Sequence, residues 1–373
     1  MNESVFPYHY LFKVTKRVPH KTFECKISKI AHIKMLKNVI LWGNLCKTSK
    51  NENNSGRFGI FLWLITEECA HLRNMKRINH TCCPLCKSKE IEKRFACKDM
   101  FATGEEFDIF ECHECGLVFT QSVPDEKEIG RYYESPSYIS HSNTSKGFMN
   151  KAYHWVRSIM LRRKVALIGK LTLLKSGRLL DYGAGTGYFA RSMAKAGWDV
   201  TAIEKSSQAR ELSQAEFGFE IFPEEHLADI GEKELDVVTM WHVMEHIQDP
   251  DRMWKEIHRI LDDTGIAVIA LPNCKSYDAQ EYKEHWAAYD VPRHLWHFTP
   301  STIMRWGEKH GFILERQYTM PFDGFYISML SEGYRGSGMK CIKGLWNGFK
   351  GWLAQANRKS ASSSIIYVFR KRR

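Results

Sequence analysis

Apolar runs and amphipathic stretches alternate through the second half of the chain. The runs are short and rich in β-branched and aromatic residues, which is typical of buried strands. The stretches between them carry apolar residues at helical spacing, as at Met253, Trp254 and Ile257 within 249–261. The pattern predicts seven strands, at 178–182, 199–204, 219–222, 236–242, 265–273, 312–320 and 363–371.

Predicted helices separate these strands. One runs from 186 to 196 and closes at Gly197, and the next begins at Ser206 or Ser207 and ends near Gly218. Strictly alternating strands and helices favour a parallel sheet covered on both faces. We therefore predict an α/β fold for residues 176–373, a doubly wound, seven-stranded, mostly parallel sheet. Two further helices are expected at 300–311 and, as a cover for the last strands, at 331–359, where the aromatic residues suit a substrate wall or a dimer contact.

The first 175 residues lack this alternation. Residues 75–120 combine close cysteine pairs with short strand-like runs, and 121–175 contain a short helical stretch at 125–135 and a longer basic one at 151–171. We predict a small cysteine module followed by a helical connector or lid. Residues 1–74 show no periodicity, so we expect a non-essential or mis-assigned N-terminal extension; the alternative is a basic docking arm.

Charge and composition exclude several classes of protein. The chain has a net charge of +11 from 54 Lys and Arg against 43 Asp and Glu. Residues 1–74 hold 12 of these basic residues and 5 of the acidic ones, so the rest of the chain is nearly balanced. The apolar runs fall short of the roughly 18 residues that cross a bilayer. We therefore expect no membrane partner, and the free cysteine pairs favour a cytoplasmic protein.

A glycine turn carries the clearest chemical signal. Asp181 ends a predicted strand, and Gly183, Gly185 and Gly187 open the following helix. Such a turn brings backbone N–H groups close to a ligand, and Glu204, at the end of the next strand, can accept both hydroxyls of a ribose. The dinucleotide pattern would need glycine at position 188, where Tyr188 stands. The turn therefore favours a nucleoside cofactor other than NAD.

The D-x-G-x-G-x-G spacing resembles motif I of class I S-adenosylmethionine-dependent methyltransferases. The stretches 200–206, 236–250 and 293–312 resemble further motifs of that family, in order and at matching spacing. The resemblance implies S-adenosylmethionine as cofactor. It implies that the methionine part is held by the turn and the ribose by Glu204, with His242 near the cofactor or substrate. The implied cofactor-binding residues are Asp181, Tyr182, Gly183, Ala184, Gly185, Gly187, Glu204 and His242.

Histidines near the predicted methyl end are candidates for a general base. Histidine titrates near neutrality, so it suits an acceptor that must lose a proton. We favour His294 or His242, with His297 as a further candidate. Glu245 and His246 could be metal ligands beside His242, but without the H-E-x-x-H order a turn after a strand is the better interpretation.

Two cysteine knuckles precede this domain. Cys83 and Cys86 are separated by two residues, as are Cys112 and Cys115. Four thiolates at this spacing suit a closed tetrahedral zinc, so we predict structural Zn²⁺ in a zinc ribbon, with hairpin arms at 107–112 and 117–120. The arrangement is similar to zinc ribbons ahead of sugar methyltransferases and of some ribosomal RNA methyltransferases.

Two acceptors follow from this resemblance. The nearly balanced charge and the aromatic, histidine-rich segment 284–298 favour methyl transfer to a small-molecule or sugar-type acceptor, such as a glycan precursor. The alternative is an RNA methyltransferase that holds RNA with the ribbon and the basic helix. A non-enzymatic scaffold is disfavoured by the intact glycine turn. The basic residues of that helix are Lys151, Arg157, Arg162, Arg163, Lys164 and Lys170.

Overall fold

The computed structural model describes residues 77–133 and 148–372, with side chains from residue 156 in the second range. These residues belong to one compact unit, Ile65–Arg373. The expectation for residues 1–74 lies outside the described residues. The elements in chain order are β1 (Arg77–Ile78), β2 (Ile91–Lys98), β3 (Glu106–Cys112), β4 (Val118–Thr120), β5 (Val123–Pro124), α1 (Phe148–Thr172), β6 (Arg178–Tyr182), α2 (Tyr188–Lys195), β7 (Asp199–Ile203), α3 (Ser207–Phe217), β8 (Leu235–Trp241), α4 (Pro250–Ile260), β9 (Leu261–Pro272), α5 (Tyr277–Tyr282), β10 (Trp296–His297), α6 (Pro300–Lys309), β11 (Phe312–Thr319), α7 (Asp323–Tyr334), α8 (Lys340–Asn357) and β12 (Ser364–Lys371).

The central sheet has the order β11-β12-β9-β8-β6-β7. Strands β7, β6, β8 and β9 are parallel, and β12 is antiparallel to both of its neighbours. The crossover helices cover both faces, which confirms the predicted Rossmann-like α/β class. The boundaries of β6 agree with the predicted 178–182, and those of β7, β11 and β12 agree to within one residue at each end.

The expectation of seven strands is not confirmed. Among the described residues the central sheet has six strands, because the predicted run at 219–222 contributes only an isolated parallel bridge from Phe222 to Ile203. Phe222 does exchange backbone hydrogen bonds with Ala202 and Glu204. A 3-10 turn, Glu224–Asp229, begins two residues later, so the chain does not continue as a strand.

The sheet alternates its side chains between two apolar layers. Leu179 faces the layer that contains Ile168 of α1 and Phe189 of α2. Leu180 faces the opposite layer, with Trp254 of α4. Burying each such side chain contributes about 1.5 to 3 kcal/mol, so the two layers fix the position of the carboxyl ends of β6, β7 and β8.

A second sheet joins the cysteine module to the large domain. Its order is β10-β4-β3-β2, and β10 comes from the segment after β9 rather than from the module itself. The predicted hairpin arms correspond to β3 and β4, whereas β2 was not predicted. The sequence of β2, Ile91–Lys98, mixes polar and apolar residues because the strand is half exposed. It therefore lacks the apolar run that would predict a strand.

Three helical predictions need correction. In the described part of the stretch 125–135, residues 125–133, the helical structure is a short 3-10 turn, Ile129–Tyr132. The predicted helix at 331–359 is two helices, α7 and α8, separated at Gly336, whose φ of +74° is left-handed. Helix α1 begins at Phe148, earlier than expected. Across the described ranges, every helix is too short or too polar to traverse a bilayer.

Candidate active site

The glycine turn after β6 depends on three left-handed residues. Gly183, Gly185 and Gly187 have φ values of +75°, +55° and +78°. A Cβ on Gly183 would lie 2.4 Å from Cγ2 of Val243, so that position also lacks space for a side chain. At Gly185 a Cβ would meet nothing within 4 Å, so the turn is open on this side. The turn therefore offers its backbone to an open space at the end of the sheet.

Glu204 braces this turn from the end of β7. Its Oε2 accepts a hydrogen bond from the N–H of Gly185 at 2.8 Å, and its Oε1 accepts one from the N–H of Ser206 at 2.9 Å. The carboxylate is thus held beside the glycine turn. The role of Glu204 in binding a ribose stays a prediction.

Asp181 supports the turn from inside the protein. Its side chain is buried, and Oδ1 accepts a hydrogen bond from Oγ1 of Thr239 at 2.8 Å. Burial raises the pKa of Asp181 to about 7, against the opposing effects of the Thr239 hydrogen bond and the charge of Lys164. The structure therefore buries Asp181 between β6 and β8, at the start of the glycine turn.

Tyr182, the last residue of β6, contacts a glutamate carboxylate. Its hydroxyl donates a hydrogen bond to Oε1 of Glu224 at 2.6 Å, and Lys205 lies 3.7 Å from the other carboxylate oxygen. Among the acids of 224–230, Glu224 thus contacts the last residue of β6, whereas Asp229 pairs with His226.

His242 occupies a strained position at the end of β8. Its φ is +58°, which is uncommon for a residue with a side chain. Its Nδ1 lies 3.5 Å from Oε1 of Glu245, and its Nε2 lies 3.3 Å from Oδ2 of Asp323. Burial lowers the pKa of His242, but the two carboxylates raise it more, to about 9. His242 is therefore a charged hydrogen-bond donor at neutral pH, which does not fit the base role.

Lys164 of α1 faces the same region. Its Nζ lies 3.9 Å from the centre of the Trp241 ring, and burial lowers its pKa to about 8 against the charges of Asp323 and Asp181. Sequence reasoning assigned Lys164 to an RNA-binding face and missed Asp323 entirely. Helix α1 lies 60 residues or more along the chain from both β8 and α7, so no local sequence pattern predicts this contact.

A carboxylate and two imidazoles meet next to His242. Glu245 is buried, and within the described part of the chain neither of its carboxylate oxygens accepts a hydrogen bond. His246 Nδ1 lies 3.1 Å from the carbonyl of Arg293, and His294 Nδ1 lies 2.8 Å from that of Ala288. If Nδ1 carries the proton in each ring, both Nε2 atoms have free lone pairs.

The three groups could hold a divalent cation. One donor atom from each of Glu245, His246 and His294 lies within 4.8 Å of the others, and imidazole with carboxylate suits several first-row metals. Sequence reasoning disfavoured metal here because the H-E-x-x-H order is missing, and it did not count His294 as a donor. The third donor, His294, comes from the loop after β9.

His297 lies away from this cluster. It is buried in β10, and its Nε2 is 2.9 Å from Oγ1 of Thr120 in β4. Burial lowers its pKa well below the ordinary value. This position joins the two sheets, and no catalytic role for His297 follows from it.

The four predicted metal-ligating cysteines do come together. Sγ atoms of Cys83 and Cys115 lie 3.5 Å apart, as do those of Cys86 and Cys112, and donor atoms of all four lie within 4.8 Å of one another. These Sγ–Sγ distances are longer than a disulfide bond and suit four thiolates that bind one ion.

Both knuckles share one backbone geometry. The residue after each second cysteine is left-handed, Lys87 at +64° and Gly116 at +73°. Its N–H donates a hydrogen bond to the carbonyl of the first cysteine of the knuckle, at 2.9 and 2.8 Å. The two turns therefore aim their sulfurs at one point in the same way.

The strand order and the glycine turn define a Rossmann-like fold, with the turn at the carboxyl ends of the parallel strands. Residues 154–317 match the family model described as a methyltransferase domain. Over this stretch, which is less than half of the chain, the protein is therefore similar to methyltransferase domains.

Relatives that are named for the reaction they catalyse match parts of the chain. A ubiquinone biosynthesis O-methyltransferase from Alkalilimnicola ehrlichii is 28% identical over 154 residues, which cover 38% of this chain and 62% of that relative. A protein of the same name from Caulobacter sp. is 34% identical over 103 residues, 26% of this chain and 41% of that relative. The chain thus spans less than two thirds of the length of either. A solved S-adenosylmethionine-dependent methyltransferase from Corynebacterium glutamicum gives a TM-score of 0.37 at 17% identity, covering 60% of this chain and 97% of that one.

Proposed function

We propose that the protein transfers the methyl group of S-adenosylmethionine to a hydroxyl oxygen of a small molecule. The observation that carries this proposal is the turn of three left-handed glycines, braced by Glu204, at the carboxyl ends of the parallel strands. The O-methyltransferase names of the relatives supply the acceptor atom. Phenol-type and sugar-type hydroxyls are the two acceptor classes to compare.

The chain's residues would align the reactants and accept one proton. Bound S-adenosylmethionine supplies a methyl group on a sulfonium, and the acceptor oxygen displaces the sulfur in line. The acceptor's proton must then leave, and we assign it to Nε2 of His294. The hydrogen bond from Nδ1 of His294 to Ala288 supports this, because it leaves Nε2 as an acceptor. His242, charged by Asp323 and Glu245, would place a positive charge beside the reacting oxygen.

A binding experiment tests the cofactor separately from the chemistry. Thermal shift of the full chain with S-adenosylmethionine, S-adenosylhomocysteine and NAD should show stabilisation by the two sulfur nucleosides only. Glu204→Gln should reduce that shift, while Glu211→Gln, on the exposed side of α3, should leave it unchanged. Stabilisation by NAD alone would remove the methyltransferase proposal.

The RNA alternative receives little support from the basic helix. Lys164 faces Trp241. The Cζ atom of Arg157 lies 4.0 Å from the centre of the Tyr188 ring, and that of Arg163 lies 5.6 Å from the centre of the Phe322 ring. Cations engaged within the fold are less available to phosphates. Salt-sensitive retention on RNA, together with methylation of RNA in preference to both small-molecule classes, would reverse this choice.

We further propose that the four cysteines bind one structural zinc ion. The paired Sγ distances and the matching knuckle turns support it. Metal analysis should find one zinc per chain, lost in Cys112→Ser and retained in Cys341→Ser, whose cysteine is exposed on α8. Equal zinc content in the two variants would refute the assignment.

A further inference from the structure

Helix α8 packs onto the protein through glycines. A Cβ on Gly344 would lie 2.5 Å from the Cα of Met329, and one on Gly348 would lie 2.7 Å from the Cα of Phe325. Helices α7 and α8 therefore touch backbone to backbone, and this face of α8 has no room for large side chains. An ordinary amphipathic helix buries its large apolar residues. Helix α8 does the opposite, because its packed face consists of small residues.

The large apolar side chains of α8 point to solvent instead. Ile342 is 69% exposed and Trp346 is 58% exposed. The rings of Trp346, Phe349 and Trp352 follow one another along the helix with centroids 6.1 and 6.0 Å apart, an arrangement that we call the aromatic row. Soluble domains rarely leave such a continuous apolar surface uncovered, and those that do commonly use it for binding. The other exposed apolar residues of this surface are Met339, Leu345 and Leu353.

Within its own segment, the charge beside the aromatic row has one sign. Residues 333–373 contain no Asp or Glu, while exposed lysines and arginines flank the row. Lys350 Nζ lies 5.7 Å from the Trp346 ring, so cationic and aromatic groups share the surface. A partner must therefore be apolar at its centre and anionic around it. The flanking cations are Lys340, Lys343, Lys350, Arg358 and Lys359.

We propose that α8 binds the surface of an anionic lipid bilayer, lying in the plane of the headgroups. The aromatic row would enter the boundary between headgroups and acyl chains, and the cations would contact lipid phosphates. A second copy of the chain fits less well, because it would bring two sets of lysines together, and lysine is depleted in protein interfaces. The proposal replaces the expectation of no membrane partner with peripheral binding.

The position of α7 connects this surface to the active site. Asp323, the first residue of α7, contacts His242, and two residues later Phe325 packs against Gly348 of α8. A membrane bound at α8 would thus lie one helix away from the histidine cluster. Membrane binding goes beyond the proposed function and does not rest on it.

Vesicle flotation tests the proposal on the full chain, without cofactor. Vesicles of phosphatidylcholine with about 30% phosphatidylglycerol should bind at least about tenfold more protein than pure phosphatidylcholine vesicles. Trp346→Gln/Phe349→Gln/Trp352→Gln should lower binding to the anionic vesicles by about tenfold or more, and Lys343→Gln/Lys350→Gln by about tenfold. The matched control is Ile313→Gln, which removes an exposed apolar side chain from β11 and should have no effect.

Each variant needs an unchanged melting temperature, which shows that it folds. Absence of flotation by the parent protein with anionic vesicles would overturn the proposal, as would full binding by the folded triple variant. Sedimentation analysis tests whether a second copy of the chain binds this surface instead. If the parent protein is a dimer that does not bind vesicles, and the triple variant is a monomer, the surface would be a dimer interface. If the protein floats with anionic vesicles but transfers no methyl group, the membrane proposal would hold and the proposed function would fail.

Discussion

The glycine turn and the histidine cluster lie at the carboxyl ends of neighbouring strands, but they are built differently. The turn is local: Gly183 to Gly187 and the bracing Glu204 lie within 22 residues of one another. The cluster is assembled from distant segments, since Glu245 and His246 follow β8, whereas His294 lies in the loop before β10. A local turn rests on backbone conformation, whereas a distributed cluster depends on what holds its segments together.

A buried ion network holds the loop of the histidine cluster. Arg293, beside His294, is 1% exposed. Its guanidinium lies 2.6 Å from Oδ1 of Asp290 and 3.0 Å from Oδ1 of Asp99, and it donates a hydrogen bond to the carbonyl of Tyr132 at 2.8 Å. Asp99 belongs to the cysteine module. The cluster therefore depends on the docking of that module, and the glycine turn does not.

The largest expected effect is on catalysis by the cluster. His294→Gln should lower kcat by about 10²- to 10⁴-fold, because the proton of the acceptor loses its acceptor group. S-adenosylhomocysteine affinity should stay unchanged, since the turn is intact. His285→Gln, at a more exposed histidine of the same segment, is the control. Activity restored to His294→Gln by added Mn²⁺ or Zn²⁺ would assign this histidine to cation binding instead.

Arg293→Ala should break the support of the cluster. It leaves Asp99 and Asp290 buried without their cation, so the free energy of unfolding should fall by about 3 to 5 kcal/mol. Urea denaturation measures the loss. Arg316→Ala, at an exposed ion pair with Glu315, should cost less than about 1 kcal/mol. Similar losses in the two variants would show that the network contributes little to docking.

Gly183→Ala addresses the turn. A left-handed alanine is strained, and its Cβ would collide with Val243, so stability should fall by about 3 kcal/mol and cofactor-induced stabilisation should weaken. Gly197→Ala is the matched control, with a φ of +92° but nothing within 4 Å of its Cβ. It should show only the backbone cost of about 1 to 2 kcal/mol. Calorimetry with and without S-adenosylhomocysteine separates the two; equal losses would mean that the Val243 contact relaxes.

The same contrast explains how far the sequence could be used for prediction. The α/β class, most strand positions, the glycine turn and the cysteine cluster follow from short-range patterns, and the structure brings those residues together. Asp323 beside His242 and Lys164 beside Trp241 depend on long-range packing, which no spacing encodes. His297 shows the converse: its place in a histidine-rich stretch indicated chemistry, but pairing of β10 with β4 buries it. The strand predicted at 219–222 is not confirmed, since the run forms one bridge and a 3-10 turn begins at Glu224.

The smallest expected effect concerns a polar contact remote from both sites. Asp251 of α4 accepts hydrogen bonds from Trp306, Lys309 and His310 at 2.6 to 2.8 Å. Burial raises its pKa, but these donors lower it more, to about 2. A carboxyl group with a depressed folded pKa stabilises the fold above its unfolded value of roughly 3.9, and this contribution is lost as the pH falls toward 2.

Since the Asp251 side chain is 31% exposed, solvent screening reduces this contribution to about 1 kcal/mol. Between pH 5 and pH 2, the parent protein should therefore lose about 1 kcal/mol more unfolding free energy than Asp251→Asn does, measured by urea denaturation at each pH. Asp199→Asn, at the exposed start of β7, should follow the parent curve. Parallel curves for the parent and Asp251→Asn would mean that the three donors do not favour the ionised carboxylate, and the link between α4 and α6 would then rest on the apolar contacts of those helices.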